Sequence, residues 1–221
     1  MIINRLFSPQ SSLLGLRIFS NLYFYRMADT YKTVSKEVCE GFYSEKRSKF
    51  LAFVHHVDSV DEAMAIVKEY RKKYYDARHC CYAYVLGSDR ADFRANDDGE
   101  PSSTAGKPIL GQLNRLELTD VLVVVIRYYG GVNLGTGGLI VAYRTATEDA
   151  LSKAVIEEKF VEERITYRFT YPMINAVMRV VKETGARIVS QSFDNDCEIV
   201  LSIRQSLAEG LQARLDKLSF E

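Results

Sequence analysis

The sequence predicts an α+β protein in two parts, a larger αβ unit followed by a small β-α-β-β-α unit. Three observations predict it. The runs His79–Leu86 and Val121–Ile126 are almost continuously apolar and rich in β-branched or aromatic residues, as in strands buried on both faces. Val60–Tyr75 and Leu139–Ala154 carry apolar residues at helical spacing. From Ile165 onward the chain runs through strand, helix, strand, strand and helix again on a smaller scale. At 221 residues it exceeds one typical domain and is short for two large ones. The expected boundaries are an N-terminal extension over 1–26, a first domain over 27–160 and a second over 161–221.

Residues Met1–Arg26 hold three arginines and no acidic residue, and Arg17 interrupts their apolar run. The segment lacks the unbroken apolar core and small-residue cleavage site of a secretory signal, and it is too interrupted to span a bilayer. Its Arg and Ser content leaves an organellar presequence open. The preferred reading is an upstream extension, poorly ordered, with Met27 as the natural start.

In chain order, Tyr31–Val38 and Lys49–His56 read as strands, with Lys46, Arg47 and Lys49 as a solvated hairpin or strand edge between them. Asp58 or Ser59 caps a helix from Val60, with Ala63, Ile66, Val67 and Tyr70 on one face. Phe93–Asn96 is a short strand, and Pro108 occupies the first turn of a helix over Ile109–Leu116. In the second unit, strand Ile165–Tyr171 leads to a helix from Pro172 to Thr184, closed by Gly185. Strands Arg187–Phe193 and Cys197–Arg204 flank the turn Asp194–Asp196, and Ser206 caps a last helix, Leu207–Leu218.

Composition narrows the function. Hydrophobic residues make up 47% and charged residues 26%, so the chain buries a core without metals or crosslinks. The net charge is zero, with 21 basic against 22 acidic residues up to Glu163 and 8 against 7 beyond it. Neither part is a basic nucleic-acid domain, so RNA binding would have to rest on a local patch. The four cysteines, Cys39, Cys80, Cys81 and Cys197, contain no C-x-x-C pair, and Cys80 and Cys81, inside an apolar run, read as small buried hydrophobes; this usage fits a reducing cytoplasm. No metal or cofactor is called for.

Two stretches carry the candidate binding residues. Ile126–Gly138 has five glycines in thirteen residues at a strand-to-helix junction, where amides and a helix dipole can meet an anion or a partner's backbone. Arg127, Tyr128, Tyr129, Gly130, Gly131, Asn133, Gly135, Thr136, Gly137 and Gly138 are its binding candidates: Arg127 for phosphate or carboxylate, the tyrosines for stacking, the glycines for close backbone approach. Asp97–Pro108 is a long polar loop with Asp97, Asp98, Glu100, Ser102, Ser103, Thr104 and Lys107 as candidates. Its acidic spacing is not that of an EF-hand, and Gly106-Lys107 followed by Pro108 is not a P-loop. His79, His55 and His56 fit hydrogen-bonded structural roles, and His79, which follows Arg78 and opens a strand, is also a binding candidate. Beside so acidic a loop, Arg127 is also expected to neutralise it in part.

Three motifs, R-H-C-C-Y-A-Y at Arg78–Tyr84, D-D-G-E-P-S-S-T-A-G-K-P at Asp97–Pro108 and V-V-V-I-R-Y-Y-G-G-V-N-L-G-T-G-G-L at Val123–Leu139, resemble the Impact/YigZ family. The resemblance covers about Tyr43–Ala154. It implies a two-layer αβ first domain like that of a small-subunit ribosomal protein and domain four of elongation factor G, and a ferredoxin-like second domain like domain five of that factor. With only Ser219, Phe220 and Glu221 after the last helix, the fourth ferredoxin strand is expected to be missing. Eukaryotic members of the family regulate translation by competing for the ribosome-associated activator of an initiation-factor kinase, whereas bacterial members look like translation-linked or nucleic-acid-binding proteins. The leading expectation is therefore a cytoplasmic, non-enzymatic regulator binding RNA or a ribosome-associated partner, with no membrane partner. A binder of a small phosphorylated ligand or nucleotide, enzymatic or not, is the first rival; a pure protein-interaction module is the second.

Overall fold

The computed structural model describes residues 29–193 and 197–218. The expected extension over 1–26, the turn Asp194–Asp196 and residues 219–221 lie outside them. The described chain divides into two units, one over 31–159 and one formed by 29–30 with 160–218.

The first unit is built on a five-stranded antiparallel sheet in the order β2-β3-β6-β4-β5, comprising β2 (Cys39–Glu45), β3 (Ser48–His56), β4 (His79–Leu86), β5 (Asp92–Asn96) and β6 (Val121–Tyr128). Helices cover both faces, which is why β4 and β6 read as unbroken apolar runs even in an antiparallel sheet. On one face Val121, Val123 and Val125 pack with α2 (Gly106–Arg115) and α3 (Gly135–Lys153). On the other, Leu122, Val124 and Ile126 pack with α1 (Val60–Lys73). The period of two along β6 therefore decides where each following side chain goes.

Ser59 caps α1, accepting from the Glu62 amide, and Glu62 Oε2 accepts from the Asp58 amide in return. The expected strand over Tyr31–Val38 proves shorter: β1 is Thr30–Val34 and pairs with β7 (Ile156–Phe160) in a separate two-stranded sheet. The chain breaks at Ser35–Val38 and re-enters as β2, a strand the sequence reading did not separate from the hairpin. That hairpin turns tightly at Lys46 and Arg47, both with positive φ (45° and 66°), the geometry of a two-residue turn that usually takes Asn-Gly.

The second unit has β8 (Glu162–Phe169), α4 (Ile174–Thr184), β9 (Arg187–Phe193), β10 (Cys197–Arg204) and α5 (Gln205–Leu218), with sheet order β8-β10-β9. That is a ferredoxin-like arrangement with three strands among the described residues. Gly185 closes α4 in the left-handed region. Ser206 is not the cap of α5. The helix begins one residue earlier, and Asp29, far away in sequence, accepts from the Ser206 amide at 3.1 Å and pairs with Arg204. Burial alone would raise the Asp29 carboxyl, but the bonds from Ser206 and Arg204 hold it below the usual carboxylate range. No described helix is long and apolar enough to cross a membrane.

Candidate functional site

The two candidate stretches meet at the end of β6. Arg127, odd-numbered like Val123 and Val125, turns to the α3 side of the sheet and is only 5% exposed. Its Nη1 lies 2.5 Å from Oε1 of Glu100, which is itself buried. Tyr143, on the core face of α3, donates to the same Oε1 at 2.8 Å. Burial, reinforced by the nearby Cys81 and Glu100, holds the Tyr143 phenol far above its ordinary value, so it remains a donor. Cys81 Sγ stands 3.3 Å from Tyr143 Oη and 3.0 Å from the Asp97 carbonyl. Burial likewise pushes both strand thiols up, Cys80 to about 11, which favours the protonated form. The Arg127 guanidinium lies 5.5 Å from the ring centroids of both Phe50 and Tyr129.

The acidic loop serves this floor with three carboxylates directed at three sets of partners. Asp97 Oδ1 accepts from the amides of Ala105 and Gly106, and its Oδ2 from Ser103, so it caps α2 from outside. This acceptor starts α2 at Gly106 rather than at the expected Ile109. Asp98, at φ 43°, joins Arg71 (2.6 Å) to the Cys80 amide (2.7 Å), and its carbonyl accepts from His79 Nδ1 at 2.8 Å. Glu100 alone faces the cleft. Thr104 is buried and donates to the Pro101 carbonyl; Ser102 is exposed beside Ser103.

An open cleft of about 750 Å³ lies over this floor, lined by Arg78, His79, Glu100, Pro101, Arg127, Tyr129, Asn133, Leu134, Gly135, Thr136 and Leu139. Its rim is polar and accessible: Tyr129 is 48% exposed and donates to Asn133 Oδ1 at 3.1 Å. Helix α3 opens here at Gly135, at φ 73°, with no side-chain cap. Its first amides are therefore open donors at the positive end of a long helix.

Other sequence candidates are not brought to this cleft. Tyr128, even-numbered, points to the α1 side and donates to Asp76. Ser103 and Lys107 line a neighbouring groove between α2 and α3 with Arg115, Arg144 and Glu148. Gly130 is packed against the β2–β3 turn, where a Cβ would meet Arg47 C at 2.2 Å and Ser48 N at 2.4 Å; its amide donates to Ser48 Oγ. Gly131, Gly137 and Gly138 belong to the loop and first turn of α3 without lining the cleft. His55 bonds Tyr70, and His56 bonds the Asp120 carbonyl. Tyr143 and Arg78 were missed as site residues. Tyr143 follows Leu139 by four positions on an apolar helix face, and a core tyrosine needs a partner for its hydroxyl, which was the available signal.

This geometry lies within the stretch matched by the profile of the Impact N-terminal domain, residues 46–151. An IMPACT family member from Haemophilus influenzae is 33% identical over 178 residues, spanning 79% of this chain and 85% of its own. The chain belongs to the IMPACT family. The IMPACT family member YigZ of Escherichia coli K12 is 35% identical over 150 residues, covering 67% of this chain and 74% of YigZ. Among solved structures, one described as the crystal structure of a hypothetical protein is 29% identical with a TM-score of 0.70, covering 86% of this chain and 93% of that one.

Proposed function

We propose that this IMPACT family protein is a cytoplasmic, translation-linked regulator that binds RNA or a ribosome-associated protein through the cleft beneath its Gly-rich loop. The translational context comes from the family resemblance, whose eukaryotic members regulate translation. The observation that carries the choice of surface is the division of charge in the cleft. Glu100 is neutralised at the floor by Arg127, leaving Arg78, the uncapped α3 amides and the Tyr129 ring to face an incoming partner. A cation, open amide donors and an exposed ring favour RNA, whose phosphates and bases use all three.

Co-sedimentation with ribosomes tests this. A Tyr129→Ala, Arg78→Ala double variant should bind about tenfold or more weakly, since losing one stacked base alone costs ~1–3 kcal/mol. Unchanged sedimentation of a folded double variant overturns the surface. RNase treatment before the spin separates RNA from a protein partner: binding that survives it assigns the cleft to a protein, as the neutral net charge would allow. A small phosphorylated ligand is the second reading, favoured by the cleft volume of about 750 Å³, within the usual range for such sites. A nucleotide and Mg²⁺ panel in a thermal-shift assay addresses it, because a specific ligand raises the melting temperature by mass action.

A further inference from the structure

Several polar groups in the cleft lack the partners that their chemistry calls for. Glu100 Oε1 accepts twice, but among the described residues Oε2 accepts no hydrogen bond; His79 Nε2 stands 3.8 Å from it, beyond hydrogen-bond range. The Asp98 carbonyl can only accept, so His79 Nδ1 beside it donates. Glu100 Oε2 thus stands in the cleft wall with no donor in hydrogen-bond range among the described residues. The remaining groups are of the opposite kind. The α3 amides have no side-chain cap, Arg78 is exposed, and Arg127, nine-tenths buried in the same wall, leaves Nε without an acceptor. The cleft therefore asks for an anion and, next to it, a hydroxyl that can donate. The half-exposed Tyr129 ring adds a flat apolar surface at the rim.

We propose that the cleft recognises a ribonucleotide unit, with phosphate at the α3 amides and Arg78, the ribose 2′-hydroxyl donating to Glu100 Oε2, and the base on the Tyr129 ring. Each part of such a unit answers one unmet group. A sugar phosphate without a base leaves Tyr129 unused. A deoxyribonucleotide brings no donor to Glu100 and strips water from a carboxylate oxygen without replacing it. Discrimination between RNA and DNA then follows from a single buried carboxylate held in place by Arg127 and Tyr143. The inference rests on the cleft being the partner-binding surface and adds what that surface reads.

The test is fluorescence anisotropy of the full chain at fixed salt with three labelled single strands of one sequence, about ten nucleotides long to cover one site: RNA, DNA and 2′-O-methyl RNA. RNA should bind about tenfold more tightly than either of the others, the worth of one hydrogen bond to a charged acceptor. The wild-type protein makes this comparison, so the result does not depend on a Glu100 variant folding. Tyr129→Ala should weaken RNA binding by tenfold or more while the protein still unfolds in one cooperative transition above the assay temperature. Competition by ribonucleoside monophosphates identifies the source. If they displace the probe and their 2′-deoxy counterparts do not, the same chemistry serves a free nucleotide; if neither displaces it while RNA retains its advantage, a strand is required. RNA binding no better than matched DNA, or no binding of any ribonucleotide, overturns the inference. The ribosome co-sedimentation of the Tyr129 and Arg78 variants judges the surface reading separately.

Discussion

The floor and the rim of the cleft come from the same two stretches of sequence, and their side chains do different work. At the floor, Arg127, Glu100 and Tyr143 are buried, and Arg127 Nη1, Glu100 Oε1 and the Tyr143 hydroxyl are spent on holding β6, the acidic loop and α3 together, which leaves Glu100 Oε2 turned to the cleft. At the rim, Arg78, Tyr129 and the first turn of α3 are accessible, and the helix end has no cap. Conspicuous polar residues in a cleft can therefore be structural, and the groups free to bind are the ones whose polar capacity is unspent. A substitution at the floor should be read first as a change in stability, and one at the rim as a change in binding.

The largest effect expected from this contrast is at Arg127. Arg127→Ala leaves Glu100 buried without its cation and should cost roughly 3–5 kcal/mol in urea denaturation; a loss below about 1 kcal/mol would mean that the floor does not bear on stability. Within the Gly-rich loop, Gly130→Ala forces a Cβ into the backbone of the β2–β3 turn and should cost about 2 kcal/mol or more. Gly137→Ala, which meets nothing within 4 Å inside the first turn of α3, should be neutral or slightly stabilising. Equal effects at the two glycines would break the distinction between packed and open loop. Asp97→Ala removes the acceptor for three amides at the start of α2 and should lower stability by about 1–2 kcal/mol, visible as faster amide exchange at Ala105 and Gly106. Tyr128→Phe loses only an exposed bond to Asp76 and should change stability by less than about 0.5 kcal/mol, leaving ribosome sedimentation as it was.

Much of the fold was legible because burial writes itself into sequence. The runs at His79–Leu86 and Val121–Ile126 could only be strands covered on both faces, and Ser59 and Gly185 announced helix ends by well-known stereochemistry. What escaped depends on distant residues. Asp97 and Asp29 cap helices that begin eight or more residues away, so the starts of α2 and α5 were displaced in the reading. The candidate site was legible as a meeting of two stretches, and the expected neutralisation of the acidic loop by Arg127 corresponds to the Glu100 pair. Tyr128 and Tyr129 looked equivalent in sequence. The alternation along β6 sends Tyr128 to the other face, whereas Tyr129 follows the strand's end and reaches the rim.

The tight turn at Lys46 and Arg47 has a consequence for how this chain can vary in length. Its two residues set the register of β2 against β3, and the backbone at Arg47 and Ser48 is what Gly130 presses on. An insertion there would slip one strand and dislodge the entry to the Gly-rich loop together. Directly after Gly130, the exposed residues Gly131–Asn133 lie outside this constraint, and a Cβ at Gly131 would meet nothing within 4 Å. Added residues should therefore be tolerated between Gly131 and Asn133 and rejected at the hairpin, although both are surface turns of the same unit.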